Sequence, residues 1–152
     1  MGRRRDGVVG SGPDDLRALM AVEPHRLPVR VYYEDTDFSG LVYHASYLRF
    51  LERGRTELLR AAGADQSALH TEGLVFAVRR LTIDYLRPAR MDDVLSIETS
   101  TRDVRGASLA IEQRILRDDV VLVTASVQVA AIAGDRPVRI PDRLRRILTA
   151  AM

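Results

Sequence analysis

The chain is 152 residues long with no cysteine, no tryptophan and three scattered histidines, His25, His44 and His70. This is one domain's length, and its composition excludes a disulfide framework, a thiol nucleophile and a thiolate zinc site, and argues against a histidine metal cluster. The formal charge of +2 is carried by 23 cations that are all arginine, yet residues 27–133 hold 13 arginines against 15 acids, which is not the basic, aromatic-studded face of a nucleic-acid domain.

In chain order, Arg3-Arg4-Arg5 is followed by no apolar stretch, so the start does not read as a secretory signal. Residues 1–26, rich in Gly, Pro and Asp, read as a flexible N-terminal tail in which 14–22 could form a short helix. The β-forming residues from Leu27 to Tyr33 predict a first strand, with Pro28 tolerated at its start. Glu34 to Gly40 is a polar loop. From about Ala45, the residues Tyr47, Leu51, Gly54, Leu58 and Ala61 or Ala62 recur at spacings of three and four, the stripe of an amphipathic helix. Gly63 stands where such a helix would end, and Asp65–Glu72 predicts a short helix or turn closed by Gly73.

The period then changes to two. Val75–Leu86, Val94–Thr101, Leu109–Ile115 and Val121–Val129 predict four strands, with turns near Asp103–Gly106 and at Asp118-Asp119. The longest apolar run, about Val120–Ile132, is interrupted by Thr124, Ser126 and Gln128 and is too short to span a bilayer. Pro141–Ala150 predicts a short terminal helix. Four consecutive strands with short connections predict an antiparallel meander, and a single long amphipathic helix predicts a sheet curled around it. Gly54 in mid-helix costs about 1 kcal/mol relative to Ala, which a close helix–sheet approach would explain. The long strands also leave an edge that a second subunit would cover.

Tyr32-Tyr33-Glu34-Asp35-Thr36-Asp37 puts three carboxylates in four positions, just ahead of a helix start near His44. A helix N-terminus carries roughly half a positive charge and free N–H groups. It could hold one carboxylate ionised or stabilise an oxyanion formed beside it, an arrangement suited to ester or thioester hydrolysis. The same residue types also make a plain turn in which Asp35 or Asp37 bonds backbone amides.

The run from Val29 to Leu48, with Asp35-Thr36-Asp37 followed by Gly40, Val42, Tyr43 and His44, resembles the hotdog-fold acyl-CoA thioesterases. The similarity is to the 4-hydroxybenzoyl-CoA thioesterase-like family, in particular its Tol–Pal-associated branch. It continues through Glu52–Glu57, Ile83–Asp93 and Arg105–Leu109 and covers about residues 27–133. The resemblance implies an α+β hotdog domain over 27–133, a five-stranded antiparallel sheet wrapped around one long central helix. Residues 134–152 are then a C-terminal extension.

The same resemblance implies hydrolysis of acyl-CoA to free acid and CoA, with no metal and no cofactor beyond the CoA of the substrate. Asp37 is then the catalytic carboxylate, acting as nucleophile or general base, and the His44 backbone N–H polarises the thioester carbonyl. The His44 side chain and Tyr33 stand at positions implicated in the family. Arg90, Arg105 and Ser108 are expected at the CoA, and Arg79 and Arg80 are further arginines that could reach its phosphates, because guanidinium pairs with phosphate bidentately. Phe38-Ser39 departs from the family's small residue and Gly, which could narrow the pocket or alter acyl preference. Asp35 is expected to shape the loop, Tyr43 and Tyr47 to form core or pocket walls, and His25 and His70 to be solvated. The expected partners are acyl-CoA, a homodimer or homotetramer and acyl-carrier protein, in the cytoplasm, with no nucleic acid and no integral membrane association. The competing class is a hotdog module that binds acyl-CoA or acyl-carrier protein without turnover.

Overall fold

The computed structural model describes residues 23–64, 66–150 and 152. The helix expected over 14–22, and the tail as far as residue 22, lie outside the described residues. Strand β1 (His25–Arg30) is followed by a single 3-10 turn (Tyr33–Asp35), α1 (Ser46–Ala61) and α2 (Gln66–Thr71). Then come β2 (Val75–Tyr85), β3 (Val94–Arg105), β4 (Ser108–Arg117), β5 (Val120–Ala133), β6 (Arg136–Pro137) and α3 (Asp142–Ala150). Every strand pairing is antiparallel, in the order β1-β3-β4-β5-β2, with β6 paired to β5. This is the expected α+β hotdog arrangement with one correction: the sheet has six strands rather than five. The chain turns back at Gly134 (φ +60), and Arg136 and Pro137 pair with Ala133 and Ile132.

β1 begins two residues earlier than expected, at His25, because the pairing with β3 runs from His25↔Thr99 to Arg30↔Val94. His25 is therefore not a solvated tail residue. It is half-buried on the sheet, and its Nδ1 is buried without a hydrogen-bond partner among the described residues. Pro28 fits because β1 is an edge strand and only one of its sides needs donors.

The alternation of β3, β4 and β5 puts Leu95 and Ile97, Ile111 and Ile115, and Val123, Ala125 and Val127 into the core. α1 buries Tyr47, Phe50, Leu51, Gly54, Leu58 and Leu59 against them. Gly54 is there for space: a Cβ on it would lie 2.7 Å from Ile97 Cγ2 and 2.8 Å from Thr99 Oγ1. Under it sits Gln113, 1% exposed. Its Nε2 donates to Leu51 O and Thr99 Oγ1, both at 2.9 Å, and its Oε1 accepts from Arg55 Nη1 at 3.0 Å. A buried amide so fully bonded fixes where the helix rests on the sheet. α1 ends as its glycine predicted, with Gly63 at φ +85, Gly63 N–H donating to Arg60 O and Ala64 N–H to Leu59 O.

The core divides along the helix. One cluster, containing Val31, Phe50, Leu51, Leu95, Ile97 and Val123, lies under the start of α1. A second joins Leu59, Leu109, Ile111 and Val127 to Ile140, Leu144 and Leu148 from the C-terminal segment. The helix expected near Pro141–Ala150 is thus present as α3, and it is packed into the core. Arg145 on α3 also donates to Gly106 O at 2.6 Å, and Ile140 N–H to the same oxygen at 2.9 Å, which ties α3 to the β3–β4 turn.

Candidate active site

The loop between β1 and α1 is held by backbone bonds to its neighbours and by its own short polar side chains. Val31 N–H donates to Asp93 O and Val42 N–H to Ala89 O, both at 2.9 Å, so the loop lies against the β2–β3 connection. Asp37 N–H donates to Leu41 O and Gly40 N–H to Asp37 O, closing a turn whose last residue, Gly40, has φ +81. Asp35 is the shaping carboxylate: it is 4% exposed, and its Oδ2 accepts the Tyr32 N–H at 2.9 Å. Its Oδ1 lies 3.8 Å from Arg49 on α1, and Arg49 also donates to Ser46 Oγ at 3.0 Å.

Asp37, two residues on, is exposed. Its Oδ1 accepts the Ser39 hydroxyl at 2.5 Å and the Ser39 N–H at 2.8 Å, while Oδ2 has no partner among the described residues. The Ser39 hydroxyl first, and the Ser39 N–H second, hold the carboxyl below its ordinary pKa, and the charge of nearby His44 adds a smaller pull. Asp37 is therefore an ionised carboxylate with one oxygen fixed and one free.

α1 starts without a side-chain cap. The His44 N–H, just ahead of it, donates to no acceptor among the described residues, which leaves it free to act as a donor. The His44 ring is exposed and packs edge-on against Tyr43, with centroids 4.5 Å apart. Tyr85, at the end of β2, donates its phenol to His44 O at 3.0 Å and stands edge-on to the His44 ring at 6.4 Å. Burial pushes the Tyr85 phenol above its ordinary pKa, so it remains a proton donor at neutral pH. Sequence reasoning missed Tyr85, although its alternation with Leu81 and Ile83 on β2 was the available signal. Tyr47 is a core wall, 3% exposed, whose Oη accepts the Ala89 N–H at 3.0 Å.

The other expected site residues are dispersed. Tyr33 begins the 3-10 turn, and its side chain is 79% exposed and outside the ring cluster of Tyr43, His44 and Tyr85. Phe38 is fully exposed at the loop tip, so within one chain it narrows nothing. Arg90 flanks the Asp37 loop, bridged to Leu41, with its N–H on Asp93 Oδ2 at 2.9 Å. Arg105 and Ser108 lie at the opposite end of β3, a strand of 12 residues that spans ~36 Å. There Arg105 is ion-paired to Asp103 at 2.5 Å, and Ser108 Oγ donates to Arg105 O at 3.0 Å. One chain does not bring Arg90 together with Arg105 and Ser108. His70, on α2, is exposed. A wide cleft of about 560 Å³ between β1 and α1, lined in part by Arg30, Arg49, Glu52 and Arg53, is not lined by Asp37 or His44.

An ionised carboxylate with a free oxygen, in the loop that leads to an unoccupied N–H ahead of a helix, suits a hydrolase acting on an activated acyl group. Comparison with known proteins narrows that class. The sequence profile of the thioesterase-like superfamily matches residues 31–148, and the chain belongs to that superfamily and is a thioesterase. The acyl-CoA thioesterase YbgC of Haemophilus influenzae is 46% identical over 121 residues, 78% of this chain and 89% of that protein. The acyl-CoA thioester hydrolase YbgC of Escherichia coli is 50% identical over 108 residues, 70% of this chain and 81% of that protein. A probable thioesterase of Bartonella henselae, solved as a crystal structure, superposes with a TM-score of 0.76 at 46% identity, covering 78% of this chain and 99% of its own. Among the described residues no helix is long and apolar enough to cross a membrane.

Proposed function

We propose that the chain hydrolyses acyl-CoA thioesters to free acid and CoA through Asp37. The single observation that carries this is the free Oδ2 of an ionised Asp37 in the loop that leads into α1, where the His44 N–H has no partner among the described residues. The thioester carbonyl oxygen accepts the His44 N–H, which strengthens as charge develops on that oxygen. As general base, Asp37 takes a proton from water as the water oxygen bonds the carbonyl carbon. The C–S bond then breaks, and the proton passes to the CoA thiolate. As nucleophile, Asp37 instead forms a mixed anhydride with release of CoA, and water cleaves the anhydride. Tyr85 bonds the His44 carbonyl, in the peptide that follows the donor N–H, and so holds the backbone at that residue. No cofactor enters beyond the CoA of the substrate, and a cytoplasmic location goes with that substrate.

The similarity to two acyl-CoA thioesterases at 46% and 50% identity supports the substrate class. Acyl-carrier protein presents its thioester on the same phosphopantetheine arm and is a second carrier of it. β2 is an edge strand whose outer side is unpaired among the described residues, and a second copy covers it in a homodimer or homotetramer. An antiparallel pairing of two β2 strands sets the Val75 end of one chain beside the Tyr85 end of the other.

The test is thiol release from a panel of short, long and aromatic acyl-CoAs by the wild type and Asp37→Asn. Turnover by the wild type and its collapse in the variant are expected. Saturable binding of CoA esters with no thiol release, or an unaffected variant, would sink the catalytic assignment and leave a binding module.

A further inference from the structure

α1 packs most closely on β1 and β3. β2 runs back along its other side. Tyr85, at the end of β2, bonds His44 ahead of the helix, while Phe76 and Val78, at the start of β2, share a cavity of about 320 Å³ with Leu59 near the helix end. Glu52, Arg55 and Leu59 all line that cavity, and Leu48 precedes them on α1 at the spacing that keeps one side of a helix. This side, with Leu48 exposed on it, leads from the Asp37 loop to the cavity, ~16 Å from His44 to Arg55 by helical rise.

The walls of the cavity and its charge disagree. Phe76, Leu109, Ile111 and Val129 make it apolar, yet Arg55 is half-buried there. Among the described residues its guanidinium makes one hydrogen bond, from Nη1 to Gln113 Oε1, and no ion pair. Burial pulls the Arg55 pKa below its ordinary value, and the charge of Glu52, which is exposed, offsets that in part. A neutral donor would serve Gln113 as well, so that bond does not account for a cation set against apolar walls. The Nε and Nη2 donors of Arg55 remain for another acceptor. The Thr56 hydroxyl, on the same wall, also has no partner among the described residues.

We propose that this cavity receives the far end of the acyl group, and that Arg55 selects acyl groups ending in a carboxylate, the CoA half-thioesters of dicarboxylic acids. This rests on the acyl-CoA assignment above and names the acyl class. The methylene chain packs on the apolar wall, and the terminal carboxylate accepts the paired N–H groups that the planar guanidinium presents, with the Thr56 hydroxyl as a further donor. Glu52 opposes the incoming charge from the solvent side. Hydrolysis itself is unchanged: water adds at the thioester carbon, the CoA thiol leaves, and the product is the free dicarboxylic acid.

The test compares, over a range of chain lengths, kcat/KM for each half-thioester with kcat/KM for the fatty acyl-CoA of the same length. In the wild type the ratio should favour the carboxylate at one length. Arg55→Gln, which keeps a donor for Gln113, should lower that ratio about tenfold or more, the usual strength of hydrogen bonds to a charged group. Glu52→Gln should raise it, which a loss of packing does not do. A wild type that prefers the fatty acyl-CoA at every length, or an Arg55→Gln variant that slows both substrates alike, overturns the site. If Arg55→Gln melts early, Glu52→Gln decides, and a ratio it leaves unmoved overturns the site. Calorimetric Kd values for the non-hydrolysable thioether analogues separate this from turnover. A carboxylate preference in analogue binding that Arg55→Gln removes, with no thioester cleaved by the wild type, keeps the site and removes the hydrolysis assignment. Cleavage of fatty acyl-CoA with no carboxylate preference does the reverse.

Discussion

The two ends of the sheet are held by different means. At the Asp37 end, the loop from Val31 to Val42 is fastened by backbone hydrogen bonds to Ala89 and Asp93, and its chemical side chains, Asp37 and His44, project into solvent. At the β3–β4 end, side-chain burial does the holding: Ile140 and Leu148 are 0% exposed, and Arg145 reaches across to Gly106 O. An exposed carboxylate bonded only to its own turn contributes little to the folded state, whereas a buried leucine contributes through every contact it makes. On the mechanism proposed above, the two ends separate activity from stability, and substitutions at each should move one and spare the other.

The largest effect belongs to Asp37→Asn. General-base removal costs ~10²–10⁴ in rate, and kcat for acyl-CoA should fall by at least that much. The variant's unfolding free energy in urea should stay within the ±0.5 kcal/mol typical of exposed substitutions. A large loss of stability would mean that the loop carries the fold as well as the chemistry, and the separation would fail there. Leu148→Ala is its mirror. Truncating a fully buried leucine costs about 2–5 kcal/mol, so the unfolding midpoint should drop clearly. The folded fraction should keep the wild-type kcat, read on thioester at saturating concentration. A loss under about 1 kcal/mol would mean that α3 covers the second core cluster without belonging to it.

Gly54 lies between the two ends, and its substitution tests what joins them. Gly54→Ala gains about 1 kcal/mol of helix propensity but forces a Cβ to within 2.7 Å of Ile97. Overpacking costs about 1–3 kcal/mol, and with contacts this short on both Ile97 and Thr99 the upper end applies, so a net loss of about 2 kcal/mol is expected in urea unfolding. Alanine at this position with no loss would show that the helix can lift off the sheet without disturbing the Gln113 bonds.

The same contrast explains what the sequence disclosed. The Asp37 end was legible because its information is local: turn residues, a glycine with positive φ and a helix start lie within a dozen consecutive positions. The strand meander and the stripe on α1 were legible for the same reason, since periodicity is a local property. Even Gly54 could be read as a close approach. What could not be read was long-range. Nothing in 134–152 says that Ile140, Leu144 and Leu148 complete a core begun by Leu59 and Leu109, and nothing around His25 says that it pairs with Thr99. Tyr85 joins His44 only because β2 ends beside the start of α1, and Arg79 and Arg80 line one cavity only because β2 bulges between Val78 and Arg80. The split of Arg90 from Arg105 and Ser108 follows likewise from strand direction rather than from composition.

The smallest predicted effect is at Ser39, and it decides how the Asp37 end is tuned. The Ser39 hydroxyl and N–H both donate to Asp37 Oδ1, and both favour the ionised carboxyl over the protonated one. In Ser39→Ala the N–H remains and the hydroxyl is lost, so the Asp37 pKa must rise toward its ordinary value. Either mechanism proposed for Asp37 requires its ionised form, so on that proposal the acid limb of the kcat/KM profile should move to higher pH. At pH 7 the carboxylate is ionised in both proteins, and a slightly more basic Asp37 is no worse a base or nucleophile, so the rate there should hold or rise modestly. A profile of kcat/KM from pH 3 to 7 reads both effects at once. An acid limb that stays in place would mean that the group limiting activity at low pH is not Asp37. A limb that moves up with the neutral rate preserved would identify Ser39 as the residue that sets the working range of this site without touching the substrate.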